Sequence, residues 1–273
     1  MRIEFFGVRG SFPSADRCES RYGAATPCAR IESAAGDAVI LDAGTGLRML
    51  GTRMAKKAPT EAPLRATILF THFHLDHVFG LPFFDPLFLP RAEITFISWL
   101  DPEEMHEILG RLMKAPLFPV AFDETPCRKT FLRIGPEGAT IGGMRVQRAQ
   151  LRHPQGCMAY RFEDGKRSAV FATDTEHPEE GIDNRLAELA RKASLFVYDA
   201  MYTPEEYAQG RKGWGHSTWE QGVELARAAR VERLFLSHLN PEHDDRTIGR
   251  MRKAAKIRFR PTECAAAGLV VKL

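Results

Sequence analysis

Three of the nine histidines in this 273-residue chain fall within six positions of one another. The run 71–77 contains four side chains of metal-binding types, namely His72, His74, Asp76 and His77. Imidazole nitrogens and a carboxylate oxygen suit zinc or a similar divalent ion. Four such side chains in so short a stretch are difficult to explain by packing. The cluster therefore predicts a metal-dependent hydrolase.

Three further candidate ligands directly follow apolar, strand-like runs, as the cluster itself follows the run 66–70. They are His153, Asp174 and His238. Sites in α/β proteins gather at the downstream ends of strands, where loops project from a rigid scaffold. Four separate strands are therefore expected to deliver ligands to one site.

Seven candidate ligands are allocated most economically to two ions. Alternate residues of an extended loop point the same way, so His72 and His74 are expected to share an ion. The predicted allocation is His72, His74 and His153 for the first ion, Asp76, His77 and His238 for the second, and Asp174 as a bridge. Paired ions about 3.5–4 Å apart lower the pKa of a shared water towards about 7. Asp76 is also counted among the catalytic residues.

The elements that must position these residues alternate between strand-like and helical patterns. Strands are predicted at 3–7, 38–42, 66–70, 94–97, 144–151, 169–173, 195–199, 234–237 and 268–273. Helices are predicted at 47–55, 103–113, 182–191, 219–230 and 246–255. The mixture predicts one α/β domain over residues 1–273. The Phe- and Pro-rich segment 81–130 is interpreted chiefly as core packing, with a pocket roof or dimer interface as alternatives.

Composition limits the class of partner. Hydrophobic residues make up 44% of the chain and charged residues 27%, and Lys plus Arg exceeds Asp plus Glu only by 38 to 35. That balance does not by itself indicate a nucleic-acid binder. We find no signal-peptide pattern or membrane-spanning run, and the five cysteines include no Cys-x-x-Cys pair. These features predict a cytoplasmic protein without a membrane partner.

The motif His-x-His-x-Asp-His at 72–77 resembles the signature of the metallo-β-lactamase superfamily, and the likeness spans nearly the whole chain, including the turn 42–44. The resemblance implies a four-layer αβ/βα sandwich with a dinuclear site. That site usually holds zinc and sometimes manganese or iron. Oxygen-reducing diiron members replace the second histidine by glutamate, whereas His74 is intact here. This difference favours hydrolysis over redox chemistry.

Residues 213–220 resemble the His-Ser-Thr motif of the phosphodiesterase branch, which includes tRNase Z. In that branch the histidine approaches the scissile phosphate and pairs with an acidic residue, and the matching residues here are His216 and Asp199. A protonated His216 could stabilise phosphate charge or donate a proton to the leaving oxygen. A capping box from Ser217 to Glu220 is an alternative explanation for Ser217 and Thr218, without a catalytic role.

Residues 7–11 and 22–26 resemble segments of bacterial cyclic-phosphodiester hydrolases, such as phosphoribosyl 1,2-cyclic phosphodiesterases. Arg9 is a candidate phosphate contact, although Gly-rich turns are mostly structural. Ala24 and Ala25 replace the usual pair of the second segment, and the structural Cys/His zinc site of the phosphoribosyl enzymes has no obvious counterpart. His106 and His177 are interpreted as surface residues.

The leading hypothesis is a phosphodiesterase that acts on a small or cyclic phosphodiester or nucleotide through a hydroxide bridging two divalent ions, most simply Zn²⁺. A tRNase Z-like RNA endonuclease is the alternative, although no long Gly-rich basic arm is visible. A lactone or thioester hydrolase would share the metal ligands without needing the His-Ser-Thr motif. A metal-loaded binding or regulatory protein is the non-enzymatic alternative. A homodimer is compatible with the sequence.

Overall fold

The computed structural model describes residues 1–17, 19–57 and 62–273. Its strands, in chain order, are β1 (Arg2–Gly7), β2 (Cys28–Glu32), β3 (Ala38–Leu41), β4 (Leu64–Leu69), β5 (Ala92–Ser98), β6 (Arg128–Arg133), β7 (Ala139–Ile141), β8 (Met144–Leu151), β9 (Cys157–Asp164), β10 (Arg167–Ala172), β11 (Leu195–Asp199), β12 (Leu234–Ser237), β13 (Thr262–Cys264) and β14 (Val270–Lys272). Its α-helices are α1 (Gly46–Lys57), α2 (Leu75–Val78), α3 (Pro102–Leu112), α4 (Asn184–Leu189), α5 (Pro204–Ala208), α6 (Trp219–Ala228) and α7 (Asp245–Arg258).

The strands form two seven-stranded mixed sheets. The order in the first sheet is β14-β1-β2-β3-β4-β5-β6, which is antiparallel as far as β3 and parallel from β3 to β6. The order in the second is β13-β12-β11-β10-β9-β8-β7, which is antiparallel from β7 to β10 and parallel beyond. Strands β8, β10, β11 and β12 therefore run in one direction, so the loops that follow them leave the same edge.

The two sheets face each other across a shared apolar core. In β3, Val39 and Leu41 belong to this core, whereas the alternate residue Ile40 faces the opposite side of the first sheet. Such alternation follows from the two-residue period of a strand. The ring of Phe5 in the first sheet lies 6.2 Å from that of Phe171 and 6.1 Å from that of Phe235 in the second.

Helices cover the outer faces of both sheets. Leu47 and Leu50 of α1 and Leu109 of α3 pack in a second core with Ile40 and Ile94 of the first sheet. On the other side, α6 lies against β11 and β12, and α7 lies against β13. The order of layers is helix, sheet, sheet, helix. The predicted α/β sandwich is therefore confirmed.

The predicted elements differ from the structure mainly where polar residues alternate with apolar ones. Strands β2, β6, β7, β9 and β13 were absent from the prediction. In β2, Ala29 and Ile31 are buried while Arg30 and Glu32 are partly exposed, so the apolar run is interrupted. Helix α4 is shorter than predicted because the carboxylate of Asp183 caps it, accepting hydrogen bonds from two backbone N–H groups.

The structure also gives the state of the thiols and the apolar helices. Cys28, Cys127, Cys157 and Cys264 are buried and unpaired, while Cys18 lies outside the described residues. Across residues 1–17, 19–57 and 62–273, no helix combines the length and apolar character needed to cross a membrane.

Replacement of Phe5 by Ala should lower the free energy of unfolding by about 3–5 kcal/mol, because it removes a ring that is 2% exposed between the sheets. Urea denaturation followed by circular dichroism measures this loss. Leu132→Ala on β6, where the side chain is 48% exposed, is the control and should cost about 0.5 kcal/mol. Equal losses in the two variants would contradict the placement of Phe5.

Candidate metal centre

The residues predicted from four strand ends lie close together. His72 and His74 follow β4, and His153 follows β8. The Nδ1 atom of His74 lies 3.0 Å from Nε2 of His153, and the His72 ring lies 4.5 Å and 4.9 Å from the rings of His74 and His153. One ring nitrogen from each histidine lies within 4.8 Å of the other two.

A second group lies on the other side of His72. The Nε2 atoms of His77 and His238 are 3.4 Å apart, and Oδ2 of Asp76 lies 3.4 Å from the first and 3.2 Å from the second. The Ser11 N–H donates to the same Asp76 oxygen at 2.8 Å, which holds the carboxylate in place. All three side chains of this group are buried.

The Asp174 carboxylate lies between the two groups. Its oxygens are 3.1 Å from Nε2 of His77 and 3.1 Å from Nε2 of His238. Oδ1 is also 3.9 Å from Nε2 of His72 and 3.9 Å from Nε2 of His153. Asp174 therefore has the placement expected of a residue shared by two cations.

Hydrogen bonds orient His77 and His72 towards the cluster. Nδ1 of His77 lies 2.9 Å from Oδ2 of Asp42, so its N–H donates to this carboxylate and leaves Nε2 free. The Thr71 hydroxyl donates to Asp42 at 3.0 Å and can accept from Nδ1 of His72 at 3.1 Å. In both rings these hydrogen bonds turn the other nitrogen, Nε2, towards the cluster.

The same arrangement holds for two more histidines. His153 donates from Nδ1 to the Gly215 carbonyl oxygen at 2.8 Å, and His74 donates from Nε2 to Oε1 of Gln155 at 2.9 Å. Each ring then presents its remaining nitrogen lone pair to the other across 3.0 Å. Two acceptors so close together need a shared positive charge.

Unsatisfied polar atoms test whether a divalent cation fits. Nε2 of His72 and Oδ2 of Asp174 are buried without a hydrogen-bond partner, although the latter lies 3.1 Å from Nε2 of His77. Burial of an unpaired polar group costs free energy. Nitrogen and carboxylate donors suit zinc and related ions. The residues therefore fit a metal centre.

The electrostatics of the cluster also favour positive charge. Burial of the His77 ring works against its charged form, yet the carboxylates of Asp174, Asp76 and Asp42 outweigh burial and raise the pKa of His77 well above its usual value. Burial would likewise favour a neutral Asp174, but the imidazoles around it hold its pKa well below the usual range. A bound cation would supply the positive charge that these carboxylates attract.

Three residues of the cluster have left-handed backbone conformations. The φ angles are +60° at Asp42, +61° at Asp174 and +54° at His238. Non-glycine residues are uncommon in this region, and such strain is concentrated at functional sites. Each of the three follows a strand of the sandwich, and its side chain contacts the other residues of the cluster.

The pair formed by His216 and Asp199 adjoins the cluster. Nδ1 of His216 lies 3.0 Å from Oδ2 of Asp199, and the His216 ring stacks 5.0 Å from that of His238. The backbone N–H groups of Asp174 and Ser217 also donate to Asp199. Burial disfavours the imidazolium, but the neighbouring carboxylates, chiefly Asp199, outweigh it and raise the pKa of His216 to about 9.

The interpretation of Arg9 as a phosphate contact is wrong. Arg9 is fully buried, and its guanidinium donates to the carbonyl oxygens of Gly23, Asn240 and His243. It therefore ties the N-terminal segment to the loop that follows His238. The neighbouring Gly10 has no room for a side chain, because a Cβ there would lie 2.4 Å from the His238 ring.

Two other interpretations also need correction. His177 is half-buried rather than a surface residue, and its Nδ1 lies 2.8 Å from Oγ of Ser217. The cap of α6 is Thr218, which accepts from the Gln221 N–H, rather than Ser217. The Ser217 hydroxyl is instead engaged with His177 and with the phenol of Tyr198.

Several residues that support the cluster were not identified from sequence. Asp42 was noted only as part of a turn, although it follows a strand just as the predicted ligands do. Gln155 and Thr71 carried no distinguishing signal. In the Phe- and Pro-rich segment, Phe84 and Phe122 are buried in the core beneath α1 and α3, whereas Phe83 is half exposed. This agrees with core packing for part of the segment.

A two-sheet sandwich whose strand ends gather histidines and aspartates defines a protein with a candidate metal centre. Residues 38–239 match the beta-lactamase superfamily domain, so the chain belongs to this superfamily, as its motif predicts.

Relatives and solved structures extend the comparison. Ribonuclease Z from Pyrobaculum calidifontis is 25% identical over 275 residues, which cover 90% of this chain and 89% of that protein. The structure of the metallo-beta-lactamase fold protein YhfI from Bacillus subtilis matches 99% of both chains with a TM-score of 0.73 and 18% identity. A diphosphatase of the PhnP family matches 100% of this chain and 97% of its own, with a TM-score of 0.72 and 18% identity. These two structural likenesses show the fold alone.

Replacement of Asp42 by Asn should weaken metal binding about 10–100-fold, because the amide no longer offers two carboxylate oxygens to His77 and Thr71. Asn tolerates the left-handed backbone at this position. Chelator competition with the zinc-loaded protein measures the affinity. Asp37→Asn, at an exposed position, is the control and should bind metal as the unaltered chain does. Unchanged affinity in Asp42→Asn would argue against a metal bound through His77.

Proposed function

We propose that the chain is a metal-dependent hydrolase that cleaves phosphodiesters. The observation that carries the proposal is the pair formed by His216 and Asp199, in which Nδ1 of His216 lies 3.0 Å from Oδ2 of Asp199 beside the ligand cluster and the carboxylate favours the charged imidazole. A lactone or thioester hydrolase requires the metal ligands but not this cationic imidazole. An anionic substrate at the cluster would be attracted by it.

The proposed ligands form two sets that share one carboxylate. The first set is His72, His74 and His153, the second is Asp76, His77 and His238, and Asp174 belongs to both. Two bound divalent cations would supply Lewis acidity towards phosphoryl oxygens and would acidify a water. Zinc suits these donors best, and manganese or iron is compatible with them.

His216 is proposed to act on the substrate directly. The Asp199 carboxylate favours the charged form of this imidazole, and a charged imidazole can stabilise developing negative charge on the phosphate. It can also donate a proton to the leaving oxygen. Asp199 is a positioning residue, because its carboxylate accepts from Nδ1 of His216 and from the backbone N–H groups of Ser217 and Met201.

RNA cleavage is the second candidate function, and one structural feature favours it besides the similarity to ribonuclease Z. A cavity of about 950 Å³ runs along α1 and is lined by Arg48, Lys56 and Lys57. Within the described part of the chain these three cations form no ion pair, so they are available to a polyanion. Cleavage of precursor tRNA, with a steep loss of affinity as salt rises, would support this function over hydrolysis of a small diester.

Replacement of His216 by Ala should lower kcat for bis(p-nitrophenyl) phosphate about 10²–10⁴-fold, because it removes the proposed proton donor. The metal content, measured by inductively coupled plasma mass spectrometry, should not change. His106→Ala is the matched control, since that histidine pairs with Asp123 at the surface. Full activity towards this diester without His216 would exclude the proposed role of His216.

A substrate panel separates the remaining hypotheses. The metal-loaded protein should hydrolyse bis(p-nitrophenyl) phosphate or a cyclic nucleotide faster than a lactone or a thioester, and a chelator should abolish turnover. Absence of turnover with both ions bound would favour a binding or regulatory protein.

The predictions of a single domain, a homodimer and a cytoplasmic location stay predictions.

A further inference from the structure

The segment 209–215, which directly precedes His216, is held against the metal centre. The Glu176 carboxylate accepts from the Gly213 N–H at 2.8 Å, from the Gly215 N–H at 3.1 Å and from the Tyr207 hydroxyl at 2.6 Å. Gly215 in turn accepts from Nδ1 of His153 through its carbonyl oxygen. This segment therefore has a fixed position relative to a proposed metal ligand.

The backbone of segment 209–215 contacts the His153 ring at Gly215, where there is no room for a side chain. Gly215 has a φ angle of +81°, and a Cβ there would lie 2.4 Å from Nδ1 of His153. Only glycine combines this backbone conformation with this contact.

A cavity of about 470 Å³ lies between the segment and the loop that carries His153. Its size falls within the range of small-molecule sites. The polar side chains that line it include Arg152, Glu176, His177, Glu179, Tyr207 and Lys212. These side chains offer hydrogen-bond donors and acceptors to a hydroxylated group such as a sugar.

An exposed aromatic residue, Trp214, lies next to this cavity along the chain. Trp214 lies between two glycines that line the cavity, and its side chain is 55% exposed. The Arg211 guanidinium lies over the indole, with Cζ 4.6 Å from the ring centroid. Within the described residues Arg211 forms no ion pair, so its charge is not neutralised by a carboxylate. A flat apolar surface beside a free cation is the combination that binds nucleotides by stacking and charge.

We propose that segment 209–215 is a nucleoside subsite, and that the substrates are phosphodiesters of nucleosides rather than of simple alcohols. The base stacks on Trp214, the sugar occupies the cavity beside Gly213 and Gly215, and Arg211 faces the phosphate side of the nucleotide. This inference rests on the proposed phosphodiesterase function and specifies its substrate class.

Two substrates with the same leaving group test the subsite. They are thymidine 5′-(p-nitrophenyl phosphate) and methyl p-nitrophenyl phosphate, which differ only in the retained ester. Base stacking contributes about 1–3 kcal/mol, so Trp214→Ala should raise KM for the thymidine ester about 5–150-fold. Its kcat/KM for the methyl ester should stay within about twofold of the unaltered enzyme.

The matched controls separate stacking from a structural effect. Trp214→Phe retains a ring and should restore most of the affinity for the thymidine ester. Ile257→Ala removes another apolar side chain, which is 86% exposed near the end of α7. This variant should have unchanged KM and kcat/KM for both esters. Equal effects of Trp214→Ala on both esters, or no effect on either, would overturn the proposal.

A binding measurement keeps the subsite testable if neither ester is hydrolysed, an outcome that would count against the proposed function. Isothermal titration calorimetry of the zinc-loaded protein with thymidine 5′-monophosphate should give a Kd that rises about 5–150-fold in Trp214→Ala. The Trp214→Phe variant should bind nearly as well as the unaltered protein. Equal affinity for the nucleotide with and without the aromatic ring would refute the subsite independently of turnover.

Discussion

The structure depends on one constraint, which is that buried carboxylates and imidazoles of two separate groups meet at Asp174. Its oxygens lie 3.1 Å from the nearest nitrogens of His77 and His238. Such proximity in a buried space is unfavourable unless charge is shared, and the pKa of Asp174 is accordingly held low. The turns, the left-handed residues and the orienting hydrogen bonds around it all serve to keep these groups together.

The sandwich supplies the rigidity that this arrangement requires. The loops that carry the ligands are short and leave strands whose side chains are packed on both faces, so little of the cluster depends on flexible chain. Arg9 extends this support, because it joins the loop after the first strand to the loop that follows His238 through the carbonyl oxygens of Asn240 and His243. The second half of the chain contributes His153, Asp174 and His238, and neither half holds a complete set.

The candidate site residues that could be predicted from sequence are those with a recognisable pattern of neighbouring residues. A histidine or aspartate that ends an apolar strand can be identified from its neighbours alone, and the structure brings together the seven residues selected in this way. The role of Arg9 could not be predicted, because it depends on carbonyl groups more than 200 residues away. The prediction of Ser217 as the cap of α6 was wrong for a similar reason, because the Ser217 hydroxyl forms hydrogen bonds with Tyr198 and His177 instead. Asp42 could have been found by the strand-end pattern and was overlooked.

The carboxylate of Asp199 has a consequence for genetic dissection of the site. One oxygen accepts both from the His216 ring and from the Asp174 backbone N–H, so the positions of the His216 imidazole and of Asp174 are coupled. A substitution at Asp199 would disturb both at once, and its phenotype could not be assigned to either. Substitutions at Asp199 are therefore expected to be rarer in nature than substitutions at His216, because a change at His216 leaves the hydrogen bond between Asp199 and the Asp174 backbone intact.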